Sequence, residues 1–148
     1  MIRRVSAAET HPLRQRVLRP HQAVAEVGFP GEDHPETAHF AAFTDDRIVG
    51  IVTVLRQPPQ PALEGVDPAA CWRLRGMATA EDQRRRGFGA ALVKSALAHV
   101  AEQGGQALWC HARLGAAAFY QAAGFVATGD PWEEPGLGPH VRMWRAVP

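Results

Sequence analysis

The chain is poor in residues on which several kinds of protein depend. It has two cysteines, Cys71 and Cys110, and a single lysine, Lys94. Two cysteines are too few for a disulfide framework and too isolated for a zinc site, so we expect no metal site. Both lie in apolar stretches, which favours reduced, half-buried thiols over a catalytic thiol. The lysine falls on the polar side of a predicted helix, which disfavours Schiff-base chemistry.

An excess of charge and long apolar runs are also missing. The formal net charge is +1, so bulk charge gives no reason to expect binding to nucleic acid or to a membrane. No apolar run reaches the roughly 18–20 residues that span a bilayer. The basic pair Arg3-Arg4 precedes no apolar stretch, so the N-terminus does not match a signal peptide. We therefore expect a cytoplasmic protein.

What the chain does contain fits one globular domain. Its 148 residues are 46% hydrophobic and 21% charged, a balance that supports a packed core rather than disorder. The sequence has no internal repeats. We predict a single domain over residues 1–148.

The pattern of apolar and turn residues predicts the element order β-α-β-β-β-α-β-α-β-β. The predicted strands cover 2–7, 38–44, 47–55, 70–79, 107–112, 125–130 and 139–146. The predicted helices cover 12–18, 87–101 and 114–123. This order indicates a mixed α/β (α+β) domain that is antiparallel early and has two helical crossovers late.

Individual residues indicate where the first helix begins and which side of the second helix faces solvent. Thr10 is expected to cap the first helix, with Pro12 near its start, where a missing N–H costs little. In the second helix an apolar stripe faces the core, while Lys94 and His99 fall on the solvent side.

Between the first helix and the second strand, residues 19–37 are rich in proline and glycine, so we predict a loop that covers a substrate.

The most informative segment runs from Met77 to Leu92: a strand, a basic loop, two glycines and an amphipathic helix. The first turn of a helix leaves N–H groups without partners and carries the positive end of the helix dipole. Glycines let the backbone approach an anion closely, so this loop suits a phosphate or pyrophosphate. The alternative is that the glycines relieve packing and the arginines are solvated. The spacing matches neither a Walker A loop nor a dinucleotide fingerprint.

Two motifs in order resemble the GNAT superfamily of N-acetyltransferases. The first corresponds to the signature R/Q-x-x-G-x-G/A and reads Arg84-x-x-Gly87-x-Gly89-Ala90. The second resembles the last helix and strand of that family and reads Ala116-x-x-Phe119-Tyr120-x-x-x-Gly124-Phe125. The resemblance covers residues 70–146 well, whereas the first third matches only in its order of elements.

The resemblance implies a fold and a cosubstrate. The fold is a mixed, mostly antiparallel central sheet flanked by helices, with a splay between the fourth and fifth strands where a thioester enters. The cosubstrate is acetyl-CoA, with no metal. The residues expected around the pantetheine arm are Met77, Ala78 and Thr79, and those expected around the pyrophosphate are Arg84, Arg85, Arg86, Gly87, Phe88, Gly89 and Ala90.

The resemblance also implies roles for single residues. Tyr120, the only tyrosine, matches the residue that protonates the leaving thiolate in many relatives; its phenol and a thiol differ by about two pKa units. The alternative is that it only packs against Phe119 and Phe125. Arg113 stands where relatives often have an asparagine that contacts the coenzyme. Arg113 therefore either contacts a phosphate of the coenzyme or plays no part in binding it. Direct attack by the amine is favoured, although Cys110 leaves a covalent route open.

The general base is not fixed by the sequence. Attack on a thioester requires a neutral amine, so a carboxylate, a histidine or a water chain must take its proton. Among the candidate bases, His111 and His140 are the better pair, since His111 lies at the end of the splayed strand and His140 at the start of the last strand. The candidates are Glu26, Asp33, His39, His111, Glu134 and His140.

Arg73 and Arg75 are two residues apart and project from one face of the predicted central strand. A buried guanidinium is costly unless it is paired. Either an internal acid satisfies them, or one of them meets a carboxylate of the substrate. The candidate acids are Glu9, Asp33 and Glu36. On the second alternative, Arg75 and His111 are the expected substrate contacts.

The expected function is therefore transfer of acetyl from acetyl-CoA to a primary amine of a small molecule or a peptide. The alternative is a module that senses acyl-CoA without catalysis. A homodimer that pairs through the late strands is expected to use an apolar patch formed by Trp132, Leu137 and Trp144.

Overall fold

Seven strands form one sheet in the computed structural model, which describes residues 1–148. The strands are β1 (Ile2–Val5), β2 (Ala38–Thr44), β3 (Arg47–Arg56), β4 (Cys71–Thr79), β5 (Ala107–Arg113), β6 (Val126–Glu134) and β7 (Gly138–Ala146). The α-helices are α1 (Ala7–Leu18), α2 (Phe88–Glu102) and α3 (Ala117–Ala122). Single 3₁₀ turns lie at Val24–Glu26, Pro68–Ala70, Glu81–Gln83 and Leu114–Ala116.

The strand order across the sheet is β1-β2-β3-β4-β5-β7-β6. Every neighbouring pair is antiparallel except β4 and β5, which are parallel and joined through α2. A parallel pair needs such a crossover, whereas antiparallel neighbours can be joined by a tight turn. The predicted element order and the mixed, mostly antiparallel sheet are confirmed.

The sheet splays between β4 and β5. Only three residue pairs join these strands, from Cys71 opposite Ala107 to Arg73 opposite Trp109. Beyond Arg73, β4 continues to Thr79 beside β3, while β5 continues to Arg113 beside β7. The two strands therefore separate over their second halves, and the predicted gap between the fourth and fifth strands is confirmed.

The helices α1 and α2 cover opposite faces of the sheet. Gly50 of β3 packs under Leu92 of α2, so closely that a Cβ on the glycine would lie 2.9 Å from the leucine side chain. Thr53, three residues later, instead meets Arg14 of α1. Because side chains alternate along a strand, an odd separation places these two contacts on opposite faces.

The core lies mainly under α2. Its largest fully buried side chains include Trp72, Leu92 and Val100, and the three belong to one hydrophobic cluster that extends over the central strands. Both cysteines are free and fully buried, so they are more enclosed than the half-buried thiols we expected. None of the helices has the length and apolar character needed to cross a membrane.

The first helix begins earlier than predicted. Ser6, not Thr10, is its N-cap: the Ser6 hydroxyl accepts a hydrogen bond from the Glu9 amide, and the Glu9 carboxylate accepts one from the Ser6 amide. This reciprocal capping box satisfies two N–H groups at once. Thr10 lies inside the helix and donates to the Ala7 carbonyl, and β1 correspondingly ends at Val5.

The last hairpin is longer than predicted. The strand predicted over 125–130 continues through Pro131 to Glu134 as β6. The register shifts between Thr128 and Trp132, where two residues more lie on β6 than on β7. Proline is tolerated at such irregularities and on edge strands, and β6 is an edge strand.

His99 was predicted on the solvent side of α2, and this is wrong. It is buried, with its ring edge-on to Trp72 at 5.6 Å and to Phe40 at 6.1 Å. Its Nε2 lies 3.4 Å from the Glu36 carbonyl. His99 lies three residues after Ala96 and seven after Leu92, so it belongs to the buried face of α2 despite its polar ring.

Candidate active site

A cavity of about 1070 Å³ opens where β4 and β5 separate. Its walls come from β4, the loop before α2, β5, α3, the loop after α1 and the β6–β7 hairpin. The site residues named from the sequence that line it are Arg75, Met77, Ala78, Thr79, Arg84, Arg85, Gly87, Phe88, Gly89, Ala90, His111 and Tyr120. Arg86 does not line it.

The strand β4 carries a bulge at the cavity. Thr53 pairs with Arg75 and Ile51 with Ala78, so Gly76 and Met77 together oppose one residue of β3. Gly76 has φ of 59°, a left-handed conformation that only glycine adopts without strain. A Cβ there would also press on Nε of Arg14, 3.3 Å away. Because β5 pairs with β4 only as far as Arg73, the edge of β4 beyond Arg73 has no strand partner on the side of the splay.

The loop before α2 is built to leave N–H groups available. Arg85 has φ of 65° and Gly87 has φ of 84°, and turns with such residues can form anion-binding concavities. No side chain caps the helix at Gly87. Because the first N–H groups of a helix lack partners within it, this end of α2 is free to bind an anion.

Gly89 is required by packing. A Cβ at this position would lie 2.9 Å from the Phe119 ring and 3.5 Å from Cε of Met77. The missing side chain lets the first turn of α2 approach both β4 and α3. At Gly87, by contrast, no atom would meet a Cβ, so the constraint there is the left-handed backbone.

Tyr120 lies in the cavity wall at the start of the splay. Its ring packs edge-on against Phe119 at 5.1 Å and Phe125 at 5.4 Å. The packing alternative considered above is therefore present, but the hydroxyl forms no hydrogen bond within the chain. Burial, and then the nearby Cys110, raise the pKa of Tyr120 above its ordinary value. The phenol therefore keeps its proton at neutral pH.

Cys110 also lines the cavity but is a weak nucleophile. It is buried on β5, and that burial raises the pKa of its thiol to about 12. A thiolate, not a thiol, attacks an acyl group. The thiol is therefore almost entirely protonated near neutral pH.

Arg73 fixes the tautomer of His111. One guanidinium nitrogen of Arg73 lies 3.3 Å from Nδ1 of His111. Arginine can only donate, so Nδ1 accepts and the neutral imidazole carries its proton on Nε2. Burial, followed by the charges of Arg73 and Arg142, lowers the pKa of His111 to about 4. His111 is thus a neutral hydrogen-bond donor toward the cavity.

His140 has the opposite tautomer. Its Nδ1 lies 2.9 Å from the Gly138 carbonyl, and a carbonyl can only accept, so Nδ1 carries the proton. This leaves a lone pair on Nε2 of neutral His140. Trp132 lies beside both histidines, 4.9 Å from the ring of His111 and 6.0 Å from that of His140.

Four of the six candidate bases line the cavity. His39 does not: both of its ring nitrogens are bonded, one to the Thr53 hydroxyl and one to the Glu32 carbonyl. Asp33 does not line it either. Those that do are Glu26, His111, Glu134 and His140. Glu26 accepts from the Ala23 amide and Glu134 from the Trp132 indole.

The loop after α1 forms one wall, as predicted for residues 19–37. A buried cluster that the sequence did not reveal holds it in place. Arg14 donates to Glu32 at 2.7 Å and to the Val27 carbonyl at 2.9 Å, and His11 bonds the other Glu32 oxygen at 2.8 Å. Burial opposes ionisation of Glu32, but these hydrogen bonds outweigh it and the pKa of the carboxyl is lowered.

Arg73 and Arg75 have no internal acid. Glu9 caps α1 and Glu36 pairs with Arg56, while no salt bridge involves Asp33. The expectation that one of these three acids satisfies the pair is therefore wrong. The buried acid of this region, Glu32, pairs instead with Arg14 of α1.

Other predicted residues have local partners. Arg113 donates to the Leu18 carbonyl at 2.7 Å, at the C-terminal end of α1. Trp132 and Leu137 line the cavity, and Trp144 packs on a small cluster around Leu63. The three residues of the expected dimer patch thus already have contacts within the chain. No group of three or more His, Cys, Asp or Glu side chains comes together as a metal site would require.

The fold and the cavity together define a class of enzyme. A family model described as "Acetyltransferase (GNAT) family" matches residues 6–125, most of the chain. The chain belongs to this family, and it is an acyltransferase that uses acetyl-CoA.

Individual relatives agree with this assignment. The chain is 36% identical over 147 residues to the uncharacterized N-acetyltransferase YitI of Bacillus subtilis (strain 168), covering 99% of this chain and 95% of that protein. A putative N-acetyltransferase from Lactobacillus plantarum superimposes with a TM-score of 0.75 at 22% identity, covering 99% and 98%. An aminoglycoside 6'-N-acetyltransferase complexed with coenzyme A gives 0.70 at 17% identity, covering 99% and 97%. The two structural matches concern the fold alone.

Proposed function

We propose that the enzyme transfers acetyl from acetyl-CoA to a primary amine of a small molecule by direct attack. The observation that carries this proposal is that the loop before α2, the splay and Tyr120 all border one cavity. The loop after α1 forms a further wall of it. A site with walls on several sides suits a small acceptor better than a peptide lying in an open groove.

The residues at the α2 end fit the cosubstrate. Unpartnered N–H groups at Gly87 and beyond, with Arg84 and Arg85 beside them, suit the pyrophosphate. Gly89 leaves room that a side chain would fill. The bulged end of β4, from Gly76 to Thr79, offers backbone groups to the pantetheine arm. The chain therefore supplies both an anion site and an extended strand in the required order.

Tyr120 is proposed as the group that protonates the leaving sulfur. As the amine nitrogen bonds to the acyl carbon, the carbon–sulfur bond breaks and the sulfur leaves as a thiolate. The Tyr120 hydroxyl has no partner in the chain and stays protonated, so it is available as a donor. Because burial keeps the phenol protonated, it can donate a hydrogen bond to the sulfur and give up its proton as negative charge builds up there.

His140 is proposed as the base that receives the amine proton. Its Nδ1 proton is held by the Gly138 carbonyl, which leaves Nε2 as an acceptor. His111 is less suited, because Arg73 occupies its Nδ1 and its Nε2 carries a proton. His111 instead suits a donor role toward the acceptor molecule. The protonated Cys110 thiol supports a route without an acyl-enzyme intermediate.

The test is release of free thiol from acetyl-CoA in the presence of a broad set of primary amines, with acetylated products identified by mass spectrometry. The proposal predicts amine-dependent release and a product acetylated on nitrogen. Turnover only of peptides, or release that no amine accelerates in a protein that binds acetyl-CoA, would contradict it. A His140→Gln variant, which lacks the basic ring nitrogen, should lower kcat while acetyl-CoA binding stays unchanged.

A further inference from the structure

The acceptor end of the cavity is rich in unpaired positive charge. Seven arginines but only two glutamates line the cavity. Arg84 and Arg85 belong to the loop before α2, and Arg14 is neutralised by Glu32. Arg73 and Arg75 remain on β4, with Arg19 and Arg113 nearby. The two glutamates are Glu26 and Glu134.

Arg73 and Arg75 lie away from the phosphate loop. They precede Met77 by four and two residues, about 13 and 7 Å along a strand. The loop that suits the pyrophosphate follows Thr79, on the other side of Met77. The cosubstrate phosphates therefore do not account for this pair. An anion other than these phosphates is needed to pair with Arg73 and Arg75.

Neither guanidinium finds an acid in the chain. Arg75 forms no hydrogen bond or salt bridge, and Arg73 has only its contact with His111. Nε of Arg73 is buried without a partner. Burial, and then the charge of Arg75, lower the pKa of Arg73 to about 10, so Arg73 still carries its charge at neutral pH. Burial also lowers the pKa of Arg75, and a guanidinium is effectively always protonated in proteins. A charge that is buried without a partner costs free energy of folding.

Aromatic rings hold both guanidiniums in position. Arg73 lies over Trp109 at 4.9 Å, and Arg75 lies over Phe29 at 4.2 Å. Stacking on a ring fixes the plane of a guanidinium and leaves its N–H edge available for a bidentate contact. A planar carboxylate matches that edge. The arrangement is therefore prepared before any ligand arrives.

From this geometry we infer that the acceptor is a small amine that also carries a carboxylate, which the guanidiniums of Arg73 and Arg75 bind. The inference rests on the proposed function and names its substrate class. The carboxylate pairs with the two charges, and the amino group extends toward the splay. There His140 and His111 face the cavity.

Matched pairs of acceptors test this inference. α-Amino acids are compared with their amides, and ω-amino carboxylates with alkylamines that have a methyl group in place of the carboxylate. One such pair is 4-aminobutyrate and butylamine, with 3-aminopropylphosphonate as a third member. For at least one pair we expect kcat/KM of the carboxylate to exceed that of its neutral partner at least tenfold. A consistent preference for the phosphonate would overturn the assignment to a carboxylate.

Variants connect the preference to the two arginines. Arg75→Gln and Arg73→Gln should raise KM for the carboxylate amine at least tenfold and bring the ratio of its kcat/KM to that of the neutral partner close to one. Arg16→Gln removes an exposed charge elsewhere on α1 and should change neither. Arg75→Lys, which keeps the charge but loses the fork, should give an intermediate KM. Arg75→Lys can also replace Arg75→Gln in this test if the glutamine variant does not fold.

Acetyl-CoA binding is measured by titration calorimetry on each protein. It distinguishes failure of the proposed function from failure of the inference about the acceptor. No binding to the native protein would defeat the proposed function itself. Binding without turnover of any carboxylate-bearing amine would overturn the inference. So would equal turnover of both members of every pair, or equal losses for both members in the arginine variants.

Discussion

Arg14 and Glu32 form an ion pair of 2.7 Å in which both side chains are buried, with 4% and 8% of their surface exposed. The arginine belongs to α1 and the glutamate to the loop that walls the active-site cavity. The same guanidinium bonds the Val27 carbonyl and the Thr10 hydroxyl. This single side chain therefore ties the cavity wall to the body of the protein.

Removing Glu32 should destabilise the protein strongly. Glu32→Ala leaves Arg14 buried without its counter-charge, and breaking such a pair costs about 3–5 kcal/mol. The measurement is the free energy of unfolding from urea titration. Glu36→Ala is the matched control, because its pair with Arg56 has 41% of each side chain exposed and is worth about 0–1 kcal/mol. Equal losses in the two variants would show that burial of the Arg14 pair has no special weight.

Replacing Tyr120 by phenylalanine should reduce turnover while binding is kept. The ring can still pack against Phe119 and Phe125, but the donor for the leaving sulfur is gone. We expect kcat to fall by about 10²–10⁴, with the dissociation constant for acetyl-CoA within about twofold. Steady-state thiol release and calorimetry measure the two quantities. A variant with undiminished kcat would restrict Tyr120 to packing.

His111 should make the fold sensitive to acid. Its pKa is about 4 in the folded protein against an ordinary 6.5, so the unfolded chain binds the proton more readily. The contribution of neutral His111 is thus complete above about pH 6.5 and is lost as the pH falls toward 4. His111→Gln should therefore lose less stability than the parent over this range. A constant difference between the two proteins from pH 7 to 4 would contradict the lowered pKa.

Cys110 should be dispensable for chemistry. Burial holds its thiol protonated, with a pKa of about 12. Cys110→Ala is expected to keep kcat within a few-fold and to create only a small cavity. Rapid-quench labelling with radioactive acetyl-CoA should leave no acetyl group on the native protein. Stable labelling that the alanine variant abolishes would establish a covalent route instead.

Local features of this site could be predicted from the sequence. The glycine at 87 is required by its left-handed backbone conformation, which depends on neighbouring residues. The two-residue turn at Asp45 and Asp46 could be anticipated for the same reason. Both residues have positive φ, as a tight hairpin turn requires. The order of helices and strands along the chain followed from the arrangement of these local signals.

Contacts between distant residues could not be predicted. The Arg14–Glu32 pair spans 18 residues and depends on how the loop after α1 folds back. The tautomer of His111 depends on Arg73, which is 38 residues away in the chain. His99 is different, because it lies three residues after Ala96 and seven after Leu92 and the helical period already places it on the buried face; what the period does not give is its cover by Phe40 from another element. A periodic pattern gives the direction of a side chain, not what covers it.

The most direct test of the account is calorimetric titration of acetyl-CoA into the native protein and into Gly89→Val. The valine would press on Phe119 and Met77 and displace the first turn of α2, whereas Ala98→Val enlarges an exposed position on the same helix. We predict micromolar binding to the native protein and to Ala98→Val, and none to a still-folded Gly89→Val. Equal binding to all three would show that the cosubstrate lies elsewhere, and no binding to the native protein would contradict the account.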